Sequence, residues 1–213
     1  MDELTNLTLE SFLDQTAERT PTPGGGSVTG MAGALACAMA QMVAAYSVGK
    51  KTDPQKRTRV EQVVVKLRRA DQLLRALITQ DAVSYSKMTE ASKLVKNGES
   101  AATSYQDAVL SAMAVPLEMA AVVSHVLSAL DDFKADASRH LLSDLGVAAV
   151  LAGATARAAR YTVLVNAREL SDQAQREKLI SDIDRTISHC DEHRKSIETF
   201  VSGHLETPAS SGR

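Results

Sequence analysis

Apolar residues recur at helical spacing along most of the chain, and the clearest run follows Pro54. A proline is tolerated in the first turn of a helix, and Asn97-Gly98 is a typical helix end. Between them the stripe consists of Val60, Val63, Val64, Leu67, Leu74, Leu77, Ile78, Asp81, Tyr85 and Met88. The pattern predicts one long helix that carries a carboxylate, Asp81, on its apolar side.

The remaining segments also have helical patterns, and alternating strand patterns are almost absent. The predicted helices cover residues 8–18, 27–49, 101–133 with a break or kink at Pro116, 143 to near 166, and 172–205. Thr8 is able to cap the first of them. Short connections favour antiparallel neighbours. We therefore expect an all-α, single-domain up-and-down multi-helix bundle over residues 1–206 and a disordered tail over 207–213.

Two of these helices are rich in small residues. Residues 27–49 carry no charge and are long enough to cross a bilayer. Alanine, glycine, methionine and valine gain little from lipid, however, and the second apolar run is interrupted by Arg157 and Arg160. We expect both helices to be buried in the protein, no membrane span and, since a basic, apolar leader is missing, a cytoplasmic location.

Charge and composition argue against several classes of protein. The formal net charge is −2, aromatic residues make up 3% of the chain, and there is no tryptophan. A nucleic-acid-binding protein typically has a basic surface, and single-stranded bases need aromatic stacking platforms. Cys37 and Cys190 are too far apart in sequence for a metal or redox motif, so they are expected to be free thiols.

His189 and His193 are the one pair with metal-ligand spacing, at positions i and i+4 of the last predicted helix. Their neighbours Asp191, Glu192 and Arg194 are charged, which is typical of a solvated helix face. The sequence pattern therefore favours no metal site.

The glycine-rich loop Pro23-Gly24-Gly25-Gly26-Ser27 precedes the first small-residue helix. Backbone N–H groups at a helix N-terminus bind anions well, so the loop could hold a ligand. A phosphate loop of the NTPase type does not fit, because the preceding strand and the Lys-Ser/Thr pair are missing. The alternative is a tight turn that lets two helices meet closely.

Polar side chains in apolar surroundings are the other candidates. Desolvation of Asp81 would raise its pKa towards the range useful for proton transfer, although a structural hydrogen-bonded aspartate fits equally well. Asp144, next to Ser143, could be catalytic or form part of a helix N-cap. Asn166 could bind a ligand or satisfy a helix end. Lys50-Lys51 could attract an anionic ligand, or simply lie in solvent.

Four blocks of the sequence, in order, resemble the C-terminal domain of the formiminotransferase-cyclodeaminase family. They are residues 21–27 with the helix ending at Gly49-Lys50-Lys51, Asp81-Ala82 with Tyr85 and Met88, Val115-Pro116-Leu117, and residues 143–149 with Val165-Asn166-Ala167. The similarity extends from about Leu9 to Asp172. The resemblance implies an all-α fold and a homodimer whose folate site lies at the subunit interface.

The resemblance also implies a function. The family contains formiminotetrahydrofolate cyclodeaminases and methenyltetrahydrofolate cyclohydrolases, which need no cofactor besides the tetrahydrofolate substrate and can work with a formiminotransferase. It places the glycine-rich loop, Lys50-Lys51, Tyr85 and Asn166 around the substrate, with Asp81 and Asp144 as catalytic acids or bases. Family members often carry Asn where this chain has Ala45 and His140. A non-catalytic folate-binding or structural paralogue therefore remains an alternative.

Overall fold

The computed structural model describes residues 4–98 and 102–206, and these residues form helices without any strand. Six α-helices follow one another along this part of the chain: α1 (Leu9–Ala17), α2 (Gly25–Tyr46), α3 (Pro54–Lys96), α4 (Ala102–Phe133), α5 (Leu142–Ala167) and α6 (Gln173–Leu205). Short 3₁₀ turns precede α1 and connect α4 to α5. The predicted all-α fold is confirmed, whereas the predicted tail lies outside the described residues.

Helices α2 to α5 form a closed four-helix arrangement. Each packs on its neighbours in chain order, and α2 also packs on α5, while α6 covers the α4 and α5 side. The connections are short, as expected for the predicted up-and-down order. One end of the bundle consequently carries the start of α2 and the end of α5, and the opposite end carries the end of α2 and the start of α5.

Small residues let α2 approach its neighbours closely. A Cβ atom added to Gly30 would lie 2.7 Å from Cγ1 of Ile78, and one added to Gly33 would lie 3.1 Å from a methyl carbon of Leu74. Cys37, further along the same face, is fully buried, and burial raises the pKa of its thiol to about 12. The first small-residue helix is thus a core element, as its composition predicts.

Three local predictions differ from the structure. The helix α2 begins at Gly25, two residues earlier than predicted. The helix α4 is continuous through Pro116, so the predicted interruption is wrong. The N-cap position of α5 is Leu141 without a side-chain hydrogen bond, and Asp144 lies inside the first turn. The capping role predicted for Asp144 is therefore wrong, and its charge instead faces the positive end of the helix dipole.

Three segments, Gly25–Tyr46, Ala102–Asp136 and Arg139–Ala167, are long and apolar enough to cross a membrane. Roughly half of each apolar stretch is buried inside the protein. Arg157 and Arg160, which interrupt the last stretch, pair with Asp191 and Asp184 on α6. Core packing accounts for much of the apolar sequence, and the absence of a membrane span stays a prediction.

Candidate active site

A cleft of about 360 Å³ lies at the end of the bundle where α2 begins. Four helices and the glycine-rich loop supply its walls: Pro21, Thr22, Gly24, Gly25, Gly26, Asp81, Tyr85, Ala112, Tyr161, Thr162, Val165 and Asn166. The loop enters from the N-terminal side, α3 supplies the carboxylate, and the last turns of α5 close the opposite wall. The cleft brings together predicted site residues that are far apart in sequence.

Asp81 lies directly over the N-terminus of α2. Its Oδ2 accepts a hydrogen bond from Ser27 Oγ at 3.3 Å, and its carboxylate also accepts one from the Ser27 backbone N–H. Gly24, at the N-cap position, has no side chain to bond the free N–H groups of this helix end. The carboxylate from α3 therefore caps α2 across the helix–helix contact.

Gly26 makes this contact sterically possible. A Cβ atom at this position would lie 2.0 Å from Asp81 Oδ1 and 2.3 Å from Cγ. Such distances are well inside van der Waals contact, and the obstacle is the carboxylate itself. At Gly25, by contrast, an added Cβ would meet nothing within 4 Å. One glycine of the loop is required by the position of the carboxylate, and its neighbour opens onto the cleft.

The pKa of Asp81 is raised above its ordinary value because burial disfavours the charged carboxylate. The two hydrogen bonds from Ser27 act in the opposite direction, since they favour the ionised form, but they do not cancel the effect of burial. The side chain is only partly exposed, and it borders the cleft. A carboxyl group with this environment can accept a proton from a bound ligand and return it.

Most of the predicted binding residues lie at or beside this cleft. Gly24, Gly25, Gly26, Tyr85 and Asn166 line it. Ser27 is fully buried beneath Asp81, and Pro23 is buried behind the loop. These two residues support the cleft from behind and are not part of its lining.

Lys50, Lys51 and Asp144 lie elsewhere in the subunit. The 22 residues of α2 separate Gly25 from the two lysines, and at 1.5 Å per residue this is about 33 Å. The same length of α5 separates Asp144, in its first turn, from Asn166 in its last. One chain thus places Asp144 and the lysines at the end opposite to Asp81, so a shared site would require a second copy of the chain.

The side chain of Asn166 is linked to the proline in α4. Asn166 Nδ2 donates a hydrogen bond to the backbone oxygen of Ala112 at 3.4 Å. Pro116 has no N–H group, so it cannot bond the carbonyl four residues before it, which is that of Ala112. The amide of α5 therefore satisfies the carbonyl that the proline leaves free, and it does so at the wall of the cleft.

Tyr161, Thr162 and Val165 are cleft residues that the sequence analysis did not identify. Tyr161 is 73% exposed and lies one helical turn before Val165, so its ring is available to cover a ligand. Its spacing of four residues from Val165, which places both on one face of α5, was a usable signal. In the sequence analysis, Arg157 and Arg160 count only as interruptions of an apolar run, so this face was not considered.

The described residues contain no group of three or more His, Cys, Asp or Glu side chains that could hold a metal ion. Around the cleft, the chemistry available is that of one partly buried carboxyl group, an amide, two tyrosines and the backbone of the loop. This set is suited to proton transfer at atoms attached to, or attacking, a neutral or cationic carbon of a ligand.

The chain is similar to several known proteins. The sequence model described as formiminotransferase-cyclodeaminase matches residues 8–185. A methenyltetrahydrofolate cyclohydrolase of Methylorubrum extorquens is 31% identical over 183 residues, covering 84% of this chain and 88% of that protein. The formimidoyltransferase-cyclodeaminase of Mus musculus is 30% identical over 95% of this chain, which spans 38% of the length of the mouse protein.

The fold is similar as well. The crystal structure of formiminotetrahydrofolate cyclodeaminase from Thermotoga maritima superposes with a TM-score of 0.88 and 28% sequence identity. The match covers 95% of this chain and the whole of the other. Because the family match extends over most of the sequence, the chain belongs to the formiminotransferase-cyclodeaminase family.

Proposed function

We propose that this protein is a folate enzyme that acts on the one-carbon unit between N5 and N10 of tetrahydrofolate. Its reaction is either cyclodeamination of the formimino compound or hydrolysis of 5,10-methenyltetrahydrofolate. The observation that carries the proposal is the partly buried Asp81 carboxyl at the cleft, which packs against Gly26 and is bonded by Ser27. The relatives of this chain are named methenyltetrahydrofolate cyclohydrolase and formimidoyltransferase-cyclodeaminase.

In cyclodeamination, N10 adds to the carbon of the protonated formimino group, and ammonia leaves to give the methenyl cation. A base must take the proton from N10, and an acid must protonate the departing nitrogen. One carboxyl group with a raised pKa can do both in turn, because the proton it accepts is the one it then delivers. Asp81 is the group in the cleft with this property.

In hydrolysis, water adds to the methenyl carbon and loses a proton, after which the ring opens to the formyl compound. The methenyl group is cationic, so a carboxylate beside it stabilises its binding and can accept the proton of the attacking water. Both reactions therefore use the same carboxyl group at the same carbon, without a cofactor.

The proposal includes a homodimer whose two subunits run in opposite directions. Such a pair would bring Asp144, Lys50 and Lys51 of one chain to the cleft of the other, where Asp144 assists proton transfer and the lysines hold the glutamate tail. An uncharged stripe on the outer face of α2 supports this contact: Val28, Leu35, Met42 and Tyr46 are all at least 36% exposed. Val147, Val150, Tyr161 and Val165 continue it on the adjacent α5.

Two further parts of the proposal concern the setting of the enzyme. The mouse relative combines a formimidoyltransferase and a cyclodeaminase in its name, and this chain matches 38% of its length. We infer that a formiminotransferase supplies the substrate if cyclodeamination is the reaction. Intracellular folate chemistry also implies a cytoplasmic location.

Two spectroscopic assays test the function. Purified protein is added to 5,10-methenyltetrahydrofolate to follow loss of its near-ultraviolet absorption, and to the formimino compound to follow its appearance. Asp81→Asn should lower kcat by about 100-fold or more in whichever assay is positive, given the usual contribution of acid–base catalysis.

Asp71→Asn is the matched control, because Asp71 lies on the same helix, pairs with Arg75 and does not line the cleft. It should leave the rate unchanged. Loss of absorption alone identifies a cyclohydrolase, and its appearance a cyclodeaminase. Folate binding without either change, or a normal rate for Asp81→Asn, would contradict the proposed catalytic role.

A further inference from the structure

We propose that His189 and His193, on the outer face of α6, form a binding site for a divalent transition metal such as Zn²⁺ or Ni²⁺. This site is separate from the folate cleft, since neither histidine lines it. From sequence alone, the charged residues around the pair indicate an ordinary solvated helix face. The structure adds three observations that change this interpretation.

The first observation is the separation of the two imidazoles. His189 Nε2 and His193 Nε2 lie 3.3 Å apart. Zinc–nitrogen bonds are about 2.0–2.1 Å long, so two nitrogens on one tetrahedral ion are about 3.3–3.4 Å apart. The i, i+4 spacing places both rings on one side of the helix, as in other helical two-histidine metal sites. The two nitrogens are therefore already at the distance that a single ion requires.

The second observation is the support of His193 by a carboxylate from another helix. Asp131 Oδ2, on α4, lies 3.0 Å from His193 Nδ1. A carboxylate at this nitrogen places the ring proton on Nδ1 and leaves the Nε2 lone pair for a metal, a common arrangement around metal-bound histidines. Lys134 binds Asp131 and also donates to Ser196 Oγ at 2.7 Å, which fixes the carboxylate in turn.

The third observation is the charge around the pair. Asp191 is paired with Arg157 and Arg194, and Arg185 is paired with Asp182. These arginines, and Lys134 beside His193, are thus each paired with a carboxylate close to them. Glu192 Oε2 lies 3.9 Å from His189 Nδ1, so the second imidazole also has a carboxylate near its free nitrogen. The immediate surroundings do not oppose the binding of a cation.

Access and ligand number define the kind of site. The side chain of His189 is 56% exposed and that of His193 is 21% exposed, so an ion can reach both from solvent. Among the residues described, no third His, Cys, Asp or Glu completes the group, and Cys190 is buried away from it. Water would fill the remaining positions. Imidazole ligands select zinc, copper and nickel rather than magnesium or calcium.

The test is titration of the full-length protein, without a histidine tag, with ZnCl₂ or NiCl₂ by isothermal calorimetry. One ion should bind per chain, and the melting temperature should rise, since the ion binds the folded state. His189→Ala and His193→Ala should each abolish this binding. Asp131→Asn, which keeps both ligands, should weaken it by about 10-fold or more, a typical effect of losing a carboxylate partner.

His204→Ala is the matched control, because His204 is on the same helix and bonds the Phe200 carbonyl of its own chain. This variant should bind metal as the parent protein does. Circular dichroism verifies that each variant is folded. Absence of binding at millimolar metal, or binding that persists in His189→Ala, would overturn the proposal. Folate turnover does not enter this measurement, so the two proposals can fail independently.

Discussion

At the scale of single residues, the site depends on the contact between Gly26 and Asp81. The sequence identified both residues, one as part of a glycine-rich loop and the other as a carboxylate on an apolar stripe. It could not reveal that they touch, because 55 positions separate them and only the packing of α2 on α3 brings them together. The loop therefore leads into the helix N-terminus that the Asp81 carboxylate caps, and it also forms a wall of the cleft.

Gly26→Ala should destabilise the protein, because its Cβ would overlap the Asp81 carboxylate. Overpacking of this kind costs about 1–3 kcal/mol. Gly25→Ala is the matched control, since its Cβ would meet nothing within 4 Å, and it should be neutral or slightly stabilising. Urea unfolding measures both. Equal free energies of unfolding for the two variants would show that the contact between Gly26 and Asp81 has room for a Cβ atom.

The raised pKa of Asp81 predicts a pH dependence of stability. When folding raises the pKa of an acid, the folded state binds the proton more tightly than the unfolded state, so stability falls as the pH rises between the two pKa values. The free energy of unfolding, relative to that of Asp81→Asn, should therefore be highest in acid. It should fall from near the ordinary pKa of 3.8 upwards and level off once the pH exceeds the raised pKa.

Urea unfolding at a series of pH values measures this dependence, and Ser27→Ala provides the contrasting case. The Ser27 hydroxyl lowers the pKa of Asp81, so its removal should extend the fall in stability to higher pH. Parallel stability curves for the parent protein and Asp81→Asn would contradict the assigned environment of the carboxyl.

At the scale of elements, α4 illustrates how a helix tolerates an internal proline. Pro116 is buried in the middle of a continuous helix, and the carbonyl that it leaves free is bonded by Asn166 from α5. The sequence pattern predicted a break or a kink because it describes one helix at a time. The compensating donor comes from another helix, 50 residues later in the chain.

A double-mutant cycle tests this link. Asn166→Ala should cost about 1–3 kcal/mol, because the Ala112 carbonyl loses its donor in a buried setting. In the Pro116→Ala background, position 116 regains an N–H that can bond the same carbonyl. The cost of Asn166→Ala should then be smaller by at least about 0.5 kcal/mol in chemical denaturation. Additive effects would show that the two residues act separately.

Helix existence and order were predictable from hydrophobic periodicity, but helix ends were less so. The capping prediction for Thr8 is confirmed, as its Oγ1 accepts from the Ser11 N–H at 3.1 Å. The one for Ser143-Asp144 is wrong, since the preceding 3₁₀ turn runs directly into α5. A serine–aspartate pair matches a cap by residue type alone, whereas the real boundary depends on how the connection packs.

At the scale of the whole molecule, helix length decides which predicted residues can meet. The glycine-rich loop, Asp81, Tyr85 and Asn166 share one end of the bundle, whereas Asp144 and the lysines lie at the other. The family resemblance grouped all of them around one substrate. Residue patterns cannot distinguish a site within one chain from a site between two chains, because both give the same sequence blocks.

The proposed dimer predicts that a charge on the outer face of α2 will separate the subunits. Leu35, 54% exposed, lies in the middle of the uncharged stripe, and Leu35→Glu would place a carboxylate in the buried contact. Val65→Glu is the matched control on α3, where Val65 is 48% exposed and outside the stripe. Light scattering after size exclusion should give a monomer for the first and a dimer for the second.

The length of α5 has a genetic consequence. If Asp81 and Asp144 act in the same site but come from different chains, inactive Asp81→Asn and inactive Asp144→Asn proteins should complement each other when their subunits exchange. Half of the randomly reassembled pairs would be hybrids, and each hybrid would hold one intact site, which restores about a quarter of the parental activity. Two defective alleles would then suffice for a working enzyme.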